Sequence, residues 1–396
     1  MKLTVIGAGP GSEELLTLRA REAISRAKTI YSTPRLGAGF AALNPAIEEL
    51  SLSDMFARLD ALGEGEAAVI ASGDVGFYSI AATLARRYPQ AEIERVPGLA
   101  SFQVLAARLG LGYENMKLYS LHGRGGGAVG PVSYHKRCFF LTGGAVKAHD
   151  LLSELCAAGL GGVWAAVGEN LSLETERVLT GTAEELSRER FADLAVVCVE
   201  NPDAADPSRV LLDGDFTRAK VPMTKQEIRD LSLAKLAIRP TDLLWDVGSG
   251  TGSVSIAMAY RAHEGAVWAI EKNPEAVRLA GENRARLGAF NLRLAEGEAP
   301  EGLRDFPAPD RVFIGGSGGN LEDIFALILE KNPAARIVVN AVTLETVGEA
   351  QRCFERFGLD YEAVCVNAAA AERLGRYRLM KAQNPVYIFT GERAHD

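Results

Sequence analysis

Short apolar runs closing on glycine or a polar turn alternate with longer amphipathic stretches along most of the chain, which predicts strands and helices in α/β layers. In the first half, Leu3 to Ile6, AAVIAS near 67–72, KRCFFLTG near 136–143, GVWAAVG near 162–168 and DLAVVCV near 193–199 read as strands. Residues 201–220 (NPDAADPSRVLLDGDFTRAK) are rich in Pro, Asp and Gly, lack sustained periodicity and mark a domain boundary. Beyond it a polar start at Thr224 opens a helix to about Ile238, and LLWDVG, AVWAIE, NLRLAEG, RVFIGG and RIVVNA follow as strands. A turn after Phe357-Gly358 and a last strand in PVYIFTG bring this half to a seven-stranded, doubly wound domain.

A length of 396 residues suits two or three domains, and 47% hydrophobic with 24% charged residues is the balance of a globular protein. The net charge of −8 argues against nonspecific binding to nucleic acid, which draws its affinity from phosphate neutralisation. No apolar run reaches the length of a membrane span and no secretory leader pattern opens the chain, so the expectation is a cytoplasmic protein without a membrane partner. The five cysteines are widely spaced and form no metal-ligand pattern with the five histidines; reduced thiols and no metal site are expected.

Two glycine turns carry the candidate chemistry. VIGAGPGSE (Val5 to Glu13) enters a strand–turn–helix unit, but Ser12 stands where a dinucleotide fingerprint needs its third glycine. About 20 residues on, the second apolar segment ends in Tyr31, Ser32 and Thr33, with no acid for a ribose. The second turn, LLWDVGSGTGSVSIAMA, places Asp246 before Gly248, Gly250 and Gly252, with Ser249 and Thr251 between them. These glycines let backbone approach a ligand, and the following helix N-terminus favours a carboxylate. Glu271 closes the next strand where an acid would hold two ribose hydroxyls, and Glu298-Ala299 end the third strand at the place of an adenine edge. NAD and S-adenosylmethionine both need such an arrangement; Ser253 in place of the third glycine and the acid before the turn favour the methyl donor. A solvated strand-end charge is the plain alternative for Glu271.

From about Val221 to Gly391, the ordered set VPMTKQEIR, DVGSGTG, EKNPEAV, EGEAPEGL, FIGGSGG, TLET and NPVYIFTG resembles the cobalamin-pathway methyltransferases that act on carbon 15 of a precorrin and decarboxylate a ring acetate. That resemblance implies a Rossmann-like class I methyltransferase domain over 221–396. It also implies donor contacts from Thr224, Gly248, Ser249, Gly250, Thr251, Gly252, Glu271 and Ala299. Family members commonly carry Asp at the positions of Glu271 and Glu298; the longer side chains keep the acceptor. Over roughly residues 1–200, VIGAGPGSEELLT, SGDVGFYS, VPGLASFQ, SLHGR, FFLTGG and VGENLSLETE resemble the tetrapyrrole methylases, in which the donor lies folded between two α/β subdomains. The implied organisation is a domain over 1–205, with subdomains of about 1–112 and 113–205, and a linker over 206–220.

The tetrapyrrole-methylase resemblance implies donor contacts from Pro10, Gly73, Asp74, Ser101, Thr142 and Glu169. Asp74 is either a donor-site acid or a turn-stabilising side chain, and Glu169 could equally brace backbone across the cleft. His122 and Arg124, in a glycine-rich loop, either bind a substrate carboxylate or are solvated. Arg373, Arg376, Arg378 and Lys381, just before the last strand, form the local basic cluster that an acidic protein needs to hold a polycarboxylate, with Lys225 and Arg229 as weaker candidates.

Both patterns in one chain, in this order, resemble the fused decarboxylating C-methyltransferases of corrin-ring biosynthesis. The implied activity is methylation of precorrin-6B at carbons 5 and 15, with loss of the ring-carbon-12 acetate carboxyl, to give precorrin-8X. One S-adenosylmethionine per domain, an anionic tetrapyrrole partner and a homo-oligomer go with it. The sulfonium donor is already activated, so methyl transfer calls for placement and no nucleophilic serine or cysteine, and no catalytic residue is assigned. A nucleic-acid or protein methyltransferase with a noncatalytic N-terminal ligand-binding module is the alternative. The NPVY at Asn384 to Tyr387 supports it only superficially, because that motif belongs after the fourth strand, where this chain has FIGGSGG.

Overall fold

Leu3, Val5 and Ile6 have no exposed surface, and nearly all of Glu66–Ala71 is buried as well. Such runs, buried on both faces, are those of parallel sheets covered by helices. The computed structural model describes residues 1–121 and 127–394, which fall into two compact units. The first comprises residues up to 121 with 137–153 and 162–200; the second comprises 127–136, 154–161 and 201–394.

In the first unit, β1 (Lys2–Gly7), β2 (Ile30–Ser32), β3 (Ile47–Glu49), β4 (Glu66–Ala71) and β5 (Glu92–Val96) form a parallel sheet of order β3-β2-β4-β1-β5. Val5 pairs with Val69 on one side and Arg95 on the other. A second sheet holds β6 (Lys117–Ser120), β7 (Arg137–Leu141), β8 (Trp164–Glu169), β9 (Arg177–Thr182) and β10 (Ala195–Glu200), in the order β6-β7-β10-β8-β9. Only β6 and β7 are parallel there. The turn after β1 leads into a 3-10 turn, Glu13–Leu15, and the first α-helix starts only at Leu18, capped by the Thr17 hydroxyl, which accepts from the Ala20 N–H at 3.1 Å. The helix that follows in the chain therefore does not start at the glycine turn, so it does not present its N-terminal N–H groups there as a dinucleotide turn does to pyrophosphate.

The second unit is built on β11 (Leu243–Val247), β12 (Ala266–Glu271), β13 (Leu292–Glu296), β14 (Arg311–Ile314), β15 (Arg336–Ala341), β16 (Asp360–Val366) and β19 (Val386–Glu392). They form one seven-stranded sheet of order β13-β12-β11-β14-β15-β19-β16. β19 runs antiparallel to both neighbours and the remaining pairs are parallel. Between β16 and β19 the chain makes a separate hairpin, β17 (Ala369–Leu374) and β18 (Tyr377–Ala382), exposed along its whole length. The sequence shows no periodic pattern here, because neither face of the hairpin is buried. Stretches 127–136 and 154–161 precede the boundary drawn at 201–220, yet they belong to this unit. Tyr134 packs in one core with Leu244, Tyr260 and Ala289. Among the described residues, no helix is long and apolar enough to cross a membrane.

Candidate functional site

In the second unit the chain reverses its order across the sheet between β11 and β14, and ligands of open α/β sheets bind outside the carboxyl ends of strands at such a point. A cavity of ≈ 690 Å³ opens there, lined by Thr224, Gly248 to Thr251, Glu271, Ala299 and the Gly315–Gly318 turn. Gly248 is forced by packing as well as by its φ of 78°: a Cβ would stand 2.8 Å from the Gly316 carbonyl oxygen. The turn is tied to β12 by the Gly248 and Ser249 N–H groups, which donate to the Ile270 carbonyl at 3.0 and 3.1 Å. Glu271 accepts from the Gly250 N–H at 2.9 Å through one oxygen and from the Asn273 N–H at 2.9 Å through the other. Each carboxylate oxygen keeps a further lone pair for a diol. Gly252 caps the helix Ser253–Arg261 in the left-handed conformation and stays off the cavity wall.

Three buried polar atoms around this turn have no hydrogen-bond partner among the described residues: Asp246 Oδ1, Ser249 Oγ and Thr251 Oγ1. Buried polar groups are almost always satisfied, so orphans lining a cavity fit a polar ligand with hydrogen-bonding groups of its own, as S-adenosylmethionine is. Asp246 is fully buried, and burial pushes its carboxyl up to about 7; a hydrogen bond from the Ser255 hydroxyl opposes the shift and the Glu271 charge adds to it. Arg229 is also fully buried and donates to the carbonyls of Thr224 (3.1 Å) and Leu211 (2.7 Å) with its guanidinium over the Phe216 ring. It shapes the segment carrying Thr224 and is withdrawn from any substrate. Lys225 pairs with Asp213 at 3.4 Å.

The first unit has a cavity of ≈ 590 Å³. Four separate elements bring Pro10, Gly73, Ser101 and Thr142 to its wall: the turns after β1 and β4, the N-terminus of the helix Ser101–Leu109, and the residue following β7. The turns meet backbone to backbone: a Cβ on Gly98 would lie 2.4 Å from the Gly7 carbonyl oxygen and 2.7 Å from that of Gly73. The Thr142 hydroxyl donates to the Ala195 carbonyl at 2.7 Å. Asp74 and Glu169 stand behind the wall. Asp74 accepts from the N–H groups of Gly76 (2.8 Å) and Gly98 (3.2 Å); Glu169 accepts from the Arg177 guanidinium and the Ala192 N–H. Burial raises the Glu169 carboxyl, but these bonds outweigh it and hold the group below the ordinary range. Both acids thus brace backbone, one of the two readings that the sequence left open for each. Arg35, which donates to Ser72 at 3.0 Å, and Lys147, paired with Asp193 at 2.9 Å, line the cavity as well. Nothing in the sequence near either residue signalled a site.

Arg373, Arg376, Arg378 and Lys381 all lie on the exposed hairpin, whose base meets the rim of the second unit's cavity at Gln383. Arg373 and Arg378 are directly opposed across the two strands. Like charges in that relation repel unless an anion lies between them. Arg376 lies over the Tyr377 ring at 4.8 Å, and Lys381 pairs with Glu372 at 3.1 Å. His122 and Arg124 lie outside the described residues. No cysteine is in a disulfide; burial pushes the Cys198 thiol up to about 12 and that of Cys353 up to about 11, whereas Cys365 is exposed. Neither buried thiol is suited to act as a nucleophile.

Comparison with known proteins decides the family. Residues 2–187 match the tetrapyrrole (corrin/porphyrin) methylases and residues 215–393 match the precorrin methyltransferase domain. A precorrin-6Y C(5,15)-methyltransferase (decarboxylating) from Sinorhizobium sp. is 33% identical over 359 residues, 87% of this chain and 85% of its own length. The chain belongs to the precorrin-6Y C(5,15)-methyltransferase (decarboxylating) family. As a member of this family it is a methyltransferase of cobalamin biosynthesis that uses S-adenosylmethionine as methyl donor. The second half by itself is 43% identical over 178 residues to a probable cobalt-precorrin-6B C(15)-methyltransferase (decarboxylating) of Pyrobaculum calidifontis, 44% of this chain and 91% of that protein. A crystal structure of a precorrin-6Y C5,15-methyltransferase from Geobacter metallireducens is 40% identical, covering 46% of this chain and 97% of that one, with a TM-score of 0.45. The Sinorhizobium and Pyrobaculum relatives support the corrin reading and not that of a nucleic-acid or protein methyltransferase.

Proposed function

We propose that this chain methylates precorrin-6B at carbon 5 in its first unit and at carbon 15 in its second. The second unit also removes the ring-carbon-12 acetate carboxyl, and the product is precorrin-8X. The observation that carries the reading is the pair of separate cavities, each at the carboxyl ends of strands and each in a unit that matches a different methyltransferase family. In this reading the first unit has the two-subdomain arrangement of a tetrapyrrole methylase over 1–205. Residues 206–220 link it to a class I methyltransferase domain over 221–396. Each domain takes one S-adenosylmethionine, and the chain assembles as a homo-oligomer.

When bound, the donor supplies a methyl group already activated on sulfur. In the second unit the Gly248 to Thr251 turn would bring backbone close to it, Glu271 would accept its ribose hydroxyls, and Asp246, Ser249 and Thr251 would complete its polar contacts. Thr224 closes the cavity from the segment fixed by Arg229. In the first unit Pro10, Gly73, Ser101 and Thr142 contact the donor, with Asp74 and Glu169 holding the turns in place. The hairpin arginines would take substrate carboxylates and so orient the macrocycle for methyl transfer. Electrons released by decarboxylation enter the conjugated imines of the substrate itself, so the protein supplies orientation and exclusion of water. Mass spectrometry of the product formed by the full chain from precorrin-6B and S-adenosylmethionine tests this. The expected product has gained two methyl groups and lost one carbon dioxide; unchanged precorrin-6B would overturn the reading.

A further inference from the structure

We propose that His135, His263 and Glu264 form a site for one divalent transition ion of the zinc class in the second unit, beside the amino end of β12 and so at the opposite end of that strand from the donor cavity. One ring nitrogen from each histidine and one carboxylate oxygen of Glu264 lie within 4.8 Å of one another, and all three residues are partly buried. The two imidazoles stand edge to face, with centroids 5.6 Å apart and planes at 89°. Bonds to zinc of about 2.0–2.2 Å require ligand atoms somewhat closer than this, a change within reach of side-chain torsions. Two imidazoles and a carboxylate select zinc, cobalt or nickel over magnesium or calcium, which prefer oxygen alone, and over copper(I), which prefers thiolate. Three protein ligands leave a fourth position for water.

The surrounding backbone is built to hold these ligands. His263 and Glu264 sit in the turn between the helix Ser253–Arg261 and β12, which starts at Ala266, whereas the donor cavity lies at the other end of β12, beside Glu271. The buried Asn291 amide fixes this turn by donating to the carbonyls of Ala262 (2.9 Å) and Gly265 (3.3 Å). The same side chain accepts from the Tyr134 hydroxyl at 3.1 Å and so fixes the neighbour of His135. His135 itself ends the helix Val129–Tyr134, where its N–H donates to the Pro131 carbonyl at 2.9 Å. That helix packs directly on the turn because residue 130 is glycine: a Cβ there would lie 2.8 Å from the Gly265 carbonyl oxygen and 3.0 Å from that of His263. One asparagine and one glycine thus preorganise both sides of the ligand set, the supporting shell that metal sites depend on.

Binding would form dative bonds from two neutral imidazole nitrogens and one carboxylate oxygen to the ion. These displace water from its hydration shell, and any protons on the ring nitrogens pass to solvent. No electron is transferred. The ion would fasten the helix Val129–Tyr134 to the turn ahead of β12 and add to the stability of the folded chain.

The test is a titration of the full chain, stripped by a chelator, with zinc ion and separately with cobalt(II) as a spectroscopic probe. One equivalent should bind saturably, cobalt should give visible ligand-field bands, and zinc should raise the thermal unfolding midpoint. Substituting a residue that only supports a ligand costs roughly 10–100-fold in metal affinity, so His263→Ala, which removes a ligand itself, should lose more than about 100-fold and abolish the thermal shift. Glu264→Gln, which keeps size and polarity, should also weaken binding, and it provides the comparison should His263→Ala fail to fold. The proposal is overturned if the unmodified chain takes up no stoichiometric ion, or if it binds zinc with the same affinity as His135→Ala and Glu264→Gln.

Discussion

Asp246, one residue before the end of β11, has no exposed surface; one oxygen is bonded to the Ser255 hydroxyl and the other has no partner among the described residues. Its carboxyl is pushed up to about 7, mainly by burial, from the ordinary value near 3.8. The folded chain therefore holds this proton more tightly than the unfolded chain. Its contribution to stability is fully present below about pH 4, falls as pH rises to about 7 and is flat beyond. Asp246→Asn should remove that dependence. Denaturant unfolding from pH 4 to pH 8 is expected to show the unmodified chain losing stability relative to the variant, by on the order of a few kcal/mol in total. A constant difference across that window would refute the burial account. Glu169 and Glu176 work in the opposite sense: both are held below the ordinary range, so their stabilisation is present at neutral pH and lost in acid. None of these shifts is legible in sequence, because each depends on what a distant strand or loop places around the carboxyl.

Elements built from local signals are the ones the residue pattern disclosed. β11 and its glycine turn could be read because an apolar run, three glycines and an apolar helix are consecutive in the chain. The hairpin of β17 and β18 could not be read: Leu374, Tyr377, Leu379 and Met380 are all exposed, so no buried face imposes alternation. Its basic residues were nevertheless recognisable as a cluster, and the fold sets Arg373 opposite Arg378. Replacing Arg376 and Arg378 together by alanine should weaken precorrin binding roughly tenfold, since charge-assisted contacts at an exposed site contribute only part of their full strength. Donor affinity should be unchanged. Equal precorrin affinity in a fluorescence titration would separate the hairpin from substrate binding.

At the scale of the whole molecule, two cavities in two units carry the expectation of two donor sites in one chain. Calorimetric titration of the full chain with S-adenosylmethionine should give two equivalents. Glu271→Ala removes a charged acceptor of ribose hydroxyls and should weaken one site by about 10–100-fold while leaving the other intact. Ser101→Phe, which puts a ring into the first unit's cavity, should silence the other site alone. If either substitution abolished both sites, the two cavities could not be independent donor sites.

By itself the sequence determined the alternation of strand and helix, the two glycine turns, the acid at the end of β12 and the family likeness of each half. Each of these is written in residues adjacent in the chain, where local sterics and periodic burial act. Tertiary structure alone decided meetings that no motif signalled: Arg35 and Lys147 on the wall of the first unit's cavity, and His135 with His263 and Glu264 ahead of β12. It also assigned Arg229 to the interior and Asp74 and Glu169 to bracing backbone. The reason is physical: strand order and burial set both proximity and desolvation, and neither is a property of any local stretch of chain.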